Sequence, residues 1–492
     1  MGNTIGNVES VRHIDEGKTK GAAYDTAWTA RVTDETGTPL FPECVQWLLE
    51  NQKSDGSWGC YQQNYHDRIL STLSAVIALE ELDETRYAHY IQRGEAYIWE
   101  NLKNLGKDSC RLVGSELLLP SLMEQAESLG LNLPYHINTY KKEYHRKLDS
   151  IEESLWYSPL KPISYSLEFL GDNVDRELLS LAQLPNGSVA TSPAATAFFL
   201  KYTKDAKAFK YLKKVLSMAA DGSVMAVYPI EIFEYGWTMY NFMLAGLYFP
   251  RYTQICNFFL KSLGPTGVGS SSELPSTDVD DTAVVCKVLC GMRYPTDVHI
   301  FDAYDTEEYY LTFPFEIDPS VSANIHVLDF AKSCSELPDR EEVIERLIKF
   351  LKREMHSGYW TDKWNVSPYY PTSHAILTLY DLEPSLTEKA VSWILNTQNE
   401  DGTWGNNGKL EETAYCVQAL MYYHQNVDHI DMSGLSKALS HITGTIFPLT
   451  YLAELWIEKV LYCPINVVFS TVASASIMYN TTAWNLCSGW CV

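Results

Sequence analysis

Two stretches far apart in the chain follow one plan. Residues 45–59 read VQWLLENQKSDGSWG, and residues 391–405 read VSWILNTQNEDGTWG. In each, an apolar helical run leads to a Gln (Gln52, Gln398) and then to Asp-Gly-Ser/Thr-Trp-Gly, at Asp55 to Gly59 and at Asp401 to Gly405. A fainter copy is Gln183-Leu184-Pro185-Asn186-Gly187-Ser188. The plan suggests helical hairpins closed by tight glycine turns, with Trp and Gln pinning the helix ends. Two similar turns arising by chance is a weak alternative, because the upstream aliphatic pair and the downstream Gly match as well. Copies so far apart fit two related helical barrels and not a tight solenoid. Residues 66–82, 340–355 and 411–426 carry apolar side chains at three- and four-residue intervals, whereas extended alternation is scarce. The expected fold class is all-α.

The chain has 492 residues, enough for two or three domains with sizeable cores. Hydrophobic content is 46%, which excludes general disorder. A net charge of −24 argues against nucleic acid as a partner and against simple electrostatic attachment to anionic lipid. The eleven cysteines show no CxxC and no repeated spacing. No basic, then apolar leader opens the chain, so reduced thiols and a cytoplasmic location are expected. The closing Cys-Val lacks the spacing of a prenylation signal. Residues 460–492 carry no charge, yet Asn466, Ser470, Thr471, Ser474, Ser476, Asn480, Thr481 and Thr482 interrupt them. That pattern predicts a core helix closing a helical domain, not a transmembrane segment. Shallow contact with a membrane surface is the minor alternative.

Residues 278–281, Asp-Val-Asp-Asp, place three carboxylates in four positions before an apolar run, TAVVCKVLC. Anions crowded at the mouth of a buried helix repel one another, and relief comes from a bound cation or a retained proton. A carboxyl kept protonated in an apolar site is a tool for protonating an alkene. Taken alone, the cluster reads better as a capped helix start with solvated Asp residues.

The surrounding blocks change that balance. AAYDTAW (22–28), QKSDGSWG (52–59), HDRILSTL (66–73), SPAATAFFL (192–200), YPIEIFE (228–234), DVDDTA (278–283), DKWNVSPYYPTSHA (362–375), QNEDGTWG (398–405), EETAYCVQAL (411–420) and LWIEKVLYCP (455–464) run in order along the chain. In this series the chain resembles class II terpene cyclases, in particular the bacterial and plant enzymes that cyclise a linear diterpenyl diphosphate. The resemblance implies two α/α-barrel domains in the βγ arrangement. The β domain would comprise residues 1–31 and 237–492, the γ domain residues 32–236, with the active site in an apolar cavity between them.

The resemblance also implies roles. Asp280 would be the general acid, with Asp278 and Asp281 biasing the proton onto it. Asn324 matches a family Asn that orients this acid, although a satisfied core amide is an equal reading. Arg68 and Lys363 are candidate diphosphate ligands, or else ion-pair residues. Mg2+ is the expected cofactor, with Asp108 and Glu116 as what is left of the family's acidic segment. Trp364, Tyr369, Tyr370 and Trp237 are candidates for lining the cavity, because π faces stabilise carbocations without quenching them; for each, plain core packing competes. The class I metal motif DDxxD and its partner motif are absent, so the diphosphate should survive for a downstream class I terpene synthase.

Termination is where the chain departs from the family. Plant enzymes making copalyl diphosphate carry a His and an Asn that position the final base. Here those positions hold Tyr165, in YSLEF, and Ala226, in MAVYPIEIFE. Without that pair the first bicyclic cation lives longer and can rearrange. The expected product is therefore a clerodane or halimane diphosphate (kolavenyl or halimadienyl) from geranylgeranyl diphosphate. The alternatives are unrearranged copalyl diphosphate and farnesyl-derived drimenyl diphosphate. A carbohydrate-active α/α-barrel hydrolase would draw its two carboxylates from separated positions. A non-catalytic interaction module would use the Asp cluster only as a cap.

Overall fold

The glycine turns read at two sites organise the whole molecule. A computed structural model describes residues 19–488, apart from 138, 249–250, 315, 317, 407–409 and 444–451. Among these residues the same turn occurs at Gly56, Gly187, Gly222, Gly267, Gly358 and Gly402, each at φ between 85° and 96°. One or two residues later a backbone N–H donates to a threonine hydroxyl on an inner helix: Trp58 to Thr72, Val189 to Thr196, Val224 to Thr26, Val268 to Thr282, Trp360 to Thr372 and Trp404 to Thr413. All six bonds measure 2.9–3.1 Å. In three turns the indole N–H also closes the end of the preceding outer helix. Trp58 donates to Leu48 O at 2.8 Å, and Trp360 and Trp404 donate to Leu351 O and Ile394 O at 2.7 Å. Glycine is required twice over at 56 and 402. The left-handed φ disfavours side chains, and a Cβ would come within 2.4 Å of Arg93 O or 2.5 Å of Lys437 Cβ.

The inner elements close into two rings. The first runs through α1 (Ala23–Ala30), α2 (Tyr65–Asn101), α3 (Ser115–Ser128), a 3-10 segment (Pro162–Asn173) and α4 (Pro193–Thr203), which returns to α1. The second runs through α5 (Glu231–Leu244), α6 (Val279–Gly291), α7 (Val321–Ser333), α8 (Tyr369–Leu379), α9 (Leu410–Asn426) and α10 (Ile465–Ser488), which returns to α5. Where these helices are enclosed by others they are buried on every side, as at residues 66–79 of α2. Residues 321–331 of α7 are all buried. The uncharged C-terminal stretch is α10, which closes the second ring as expected, and no described helix is long and apolar enough to cross a membrane. Nine cysteines have described side chains, and all nine are free thiols. The Cys-Val terminus and residues 1–18 lie outside the described residues.

The expected assignment of residues 1–31 to the second domain needs correction over its described part. Residues 19–20 do join the second half, pairing with Pro464 and Cys463. From there β1 (Gly21–Ala22) pairs antiparallel with β2 (Val224–Met225), and α1 packs inside the first ring against α2 and α4. The reason is chemical: Asp25 accepts the N–H of Ala194 at 3.0 Å, and Thr26 accepts that of Val224. Likewise, α5 belongs whole to the second ring, so the boundary falls before Glu231 and not at 237.

A hairpin clasps the halves together. Its strands are β3 (Trp456–Ile457) and β4 (Leu461–Tyr462). Leu461 N–H donates to Asp67 at 2.9 Å, and Glu458 O accepts from Val113 N–H at 3.0 Å. Lys459 is driven into the first half, where Nζ meets Glu168 at 2.6 Å, Ser192 Oγ at 2.6 Å and Tyr165 O at 2.9 Å. Both ionic side chains are at most 1% exposed. Removing one partner of a buried pair strands the other charge. Lys459→Met is therefore expected to cost about 3–5 kcal/mol in denaturant unfolding, with part of the loss recovered in Lys459→Met combined with Glu168→Gln.

Candidate active site

Asp278 caps α6: its Oδ1 accepts the N–H of Asp281 at 2.8 Å. The capping reading of the cluster thus holds for Asp278, and it also explains the geometry. The cap fixes the first turn of the helix, so that Asp280 and Asp281 stand on the wall of a cavity between the two halves. The cavity has a volume of about 1010 Å³, counting its open mouth. All three aspartates are buried. Burial raises the carboxyl of Asp278 to about 7; it pushes that of Asp281 well up, with the charges of Asp278 and Asp280 adding to the effect. The cluster therefore holds protons, and three free carboxylates are not present together near neutral pH.

Asp280 has a partner that sequence reasoning missed. Its Oδ1 lies 2.5 Å from Nδ1 of His326, and Nε2 of His326 lies 2.9 Å from Nδ1 of His374. Burial keeps His374 well below the ordinary imidazole range and hence neutral, and any charge on His326 would push it the same way. His326 sits edge-on to Trp237, with ring centroids 5.5 Å apart, and His374 stacks on Tyr240 at 5.5 Å.

Asn324 does not reach the acid. Its amide donates to Tyr310 O at 2.9 Å and Ser320 O at 2.7 Å and accepts Tyr310 N–H at 2.8 Å, which commits it to holding the 310 loop. Two residues along a helix are some 200° apart, so Asn324 and His326 cannot face the same group. The satisfied-amide reading is the one the structure supports.

The aromatic wall contains two of the expected residues and several others. Trp237 and Trp364 line the cavity, together with Phe233, Phe313, Trp456 and Tyr462. Phe233 lies 4.6 Å from Trp237 and 5.1 Å from Trp456, centroid to centroid. Glu411 fixes the Trp456 ring by accepting its N–H at 2.8 Å. Tyr370 stands one layer back, accepting the Trp237 N–H at 2.9 Å. Tyr369 is turned away, against Trp393.

The expected diphosphate ligands are occupied elsewhere. Arg68 is buried in the first glycine turn, donating to Cys60 O, Ser57 Oγ and Tyr61 O at 2.7–2.9 Å. Lys363 pairs with Glu316 at 2.7 Å. Among the residues lining the cavity, the basic side chain is Lys161, beside Pro159, Pro162 and Ser164. The expected metal ligands do not fit an ion either. Asp108 accepts the N–H groups of Tyr65 and His66 at 3.0 and 2.8 Å and pairs with the His66 ring, which caps α2. Glu116 is engaged by Lys147. Among the described residues no group of three or more His, Cys, Asp or Glu side chains could hold a metal.

Tyr165 also lines the wall, and its hydroxyl donates to the carbonyl of Ala226 at 3.3 Å. The two positions where the chain departs from the plant pattern therefore meet in space. Glu458, also on the wall, is within hydrogen-bond reach of Tyr165.

Residues 300–421 match the squalene-hopene cyclase C-terminal domain family. The chain belongs to the class II diterpene cyclases, enzymes of the intramolecular lyase and isomerase type. It is similar to a type B diterpene cyclase of Mycobacterium tuberculosis (strain ATCC 25618 / H37Rv), 30% identical over 485 residues covering 92% of this chain and 94% of that protein. It is also similar to a chloroplastic (-)-kolavenyl diphosphate synthase of Tripterygium wilfordii, 28% identical over 73% of this chain and 45% of the plant protein. The chain thus spans about half the length of that plant relative. The ent-copalyl diphosphate synthase from Streptomyces platensis shares the fold, with a TM-score of 0.80 at 24% identity over 98% of this chain and 100% of that one.

Proposed function

We propose that this cyclase folds geranylgeranyl diphosphate into a bicyclic diterpenyl diphosphate, keeps the diphosphate, and rearranges the skeleton to the clerodane or halimane type. The observation that carries this reading is Asp280, buried in an aromatic-walled cavity with one carboxyl oxygen engaged by His326. With neutral His374 donating from Nδ1 to Nε2 of His326, His326 donates from its own Nδ1 to Asp280 Oδ1. The acidic proton then resides on Oδ2. Transfer of that proton to the terminal alkene makes the tertiary cation that starts ring closure.

Phe233, Trp237, Trp364 and Trp456 offer π faces to the spreading charge and no strong base. Lys161 on the wall is the side chain proposed to meet the diphosphate, so the substrate would lie with its two ends at Lys161 and Asp280. Any Mg2+ requirement is assigned to ion arriving on the diphosphate, not to Asp108 and Glu116. Because the product would keep an allylic diphosphate, a class I synthase that ionises it is the fitting next enzyme.

The rearranged skeleton rests on Tyr165 and Ala226. Their adjacency gives the expectation a direct test: Tyr165→His combined with Ala226→Asn should shift at least half of the product to the labdane skeleton. Mass spectrometry after dephosphorylation reads the result, and an unchanged product profile would remove these positions from control of termination.

A further inference from the structure

We propose that Glu458 is the base that ends the cation cascade, with Tyr165 beside it on the cavity wall. This rests on the proposed cyclase reading and supplies the step that the missing His/Asn pair leaves open. Glu458 comes from the clasping hairpin, whose pairing orients it. The N–H of Glu458 donates to Val460 O at 3.1 Å, its carbonyl accepts from Val113, and the neighbouring Lys459 is locked in the first half. The side chain is thus carried on rigid backbone and lines the cavity together with Tyr165.

The surroundings leave Glu458 able to take a proton. Burial raises the carboxyl of Glu458, with the charge of Asp278 adding to it, while Tyr165 and the Lys459 charge hold the rise back. The balance sets the carboxyl of Glu458 at about 7, which leaves carboxylate available near neutrality. Lys459 cannot act in its place, being committed to Glu168 and Ser192. Tyr165 is pushed well above the ordinary phenol range, mainly by burial, so its hydroxyl stays protonated and serves as a donor.

Position adds a second argument. Glu458 lines the same cavity as Asp278, Asp280 and Asp281, and its charge helps to raise the carboxyl of Asp281. The substrate end protonated by Asp280 becomes the first ring. A cation that migrates back into that ring is delivered to Glu458, whereas one resting on the second ring is further from it. A base placed here selects rearranged skeletons.

The step balances. Asp280 gives a proton to the alkene, whose π pair becomes the new C–H bond. At the end a C–H pair beside the cationic carbon becomes a C=C π bond, and its proton forms an O–H bond on Glu458. Return of one proton to Asp280 and loss of one from Glu458 resets the site, and the sum is an isomerisation.

The test is product analysis with geranylgeranyl diphosphate for Glu458→Gln, Glu458→Asp and Tyr165→Phe beside the wild type and Asp280→Asn. Glu458→Gln is expected to keep consuming substrate within about tenfold of the wild-type rate. The wild-type product should fall at least tenfold in share, replaced by other olefin isomers or water-captured hydroxyl diphosphates. Glu458→Asp should restore part of the wild-type product. Tyr165→Phe, which retains the carboxylate, should keep it as the major species. An unchanged profile in Glu458→Gln would overturn the proposal and hand termination to the Asp cluster or to water. Should Glu458→Gln fail to fold in a melting experiment, Tyr165→Phe decides: a shifted mixture there would make the hydroxyl the terminating group and equally overturn it. If the wild type itself leaves geranylgeranyl diphosphate untouched, the underlying cyclase reading fails instead.

Discussion

Replacing Asp280 by Asn is expected to stop turnover while leaving the fold intact. An alkene is so weak a base that no neighbouring group can substitute for an aimed carboxylic acid. General acid catalysis accounts for about 10²–10⁴-fold in ordinary cases; here the proton transfer is the initiating event, so the loss should reach the upper end or pass below detection. Asn preserves volume and can still accept the His326 hydrogen bond, so the melting temperature should hold. Substrate binding should hold as well, because the cavity wall and Lys161 are untouched. Residual product at more than about a hundredth of the wild-type rate would remove Asp280 from its role.

His326→Ala is expected to have the next largest effect. The change strips the partner from Asp280 Oδ1 and from His374, and it opens a gap beside Trp237. Free to rotate, Asp280 would present its proton to the substrate only part of the time. The predicted outcome is a fall in kcat of about 10²-fold with little change in KM. Stability should drop by ~1–3 kcal/mol, the cost of leaving buried polar groups unpaired. His374→Ala, one bond further away, should lower kcat less. A larger loss in His374→Ala than in His326→Ala would contradict the proposed order of contacts.

Much of the architecture was legible in the sequence because the glycine turn is a local device. Asp-Gly-Ser/Thr-Trp-Gly specifies a left-handed glycine, an indole that reaches back and a helix that follows, and these are contacts over a few residues. The other turns escaped notice because Gly222, Gly267 and Gly358 lack the full motif and are recognisable only by the threonine each reaches. Thr26 is the extreme case: Val224 finds it from the far end of the first half, a closure that no local pattern announces. That same contact decides which ring owns α1.

The site divides in the same way. Residues 278–281 stood out because charge before an apolar run is visible in one dimension. His326 did not, although it lies two positions from Asn324 in VSANIHV: the facing side of a helix depends on rotation, which family matching at Asn324 did not supply. Glu458 and Trp456 lay within LWIEKVLYCP, a block noted only for its resemblance to the family. Their roles come from a hairpin that crosses between halves. Arg68, Asp108 and Glu116 show the limit of resemblance: matching a family segment does not reveal that Arg68 is held by a glycine turn, Asp108 by the start of α2 and Glu116 by Lys147.

Diphosphate retention is the most direct test of the account. Purified enzyme would be incubated with geranylgeranyl diphosphate, with and without Mg2+, while inorganic diphosphate release is followed and the products are analysed before and after phosphatase treatment. The account predicts consumption of substrate with no release of inorganic diphosphate, and a bicyclic alcohol that appears only after phosphatase. Release of inorganic diphosphate together with a hydrocarbon product would show ionisation at the other end of the substrate and would contradict initiation by Asp280.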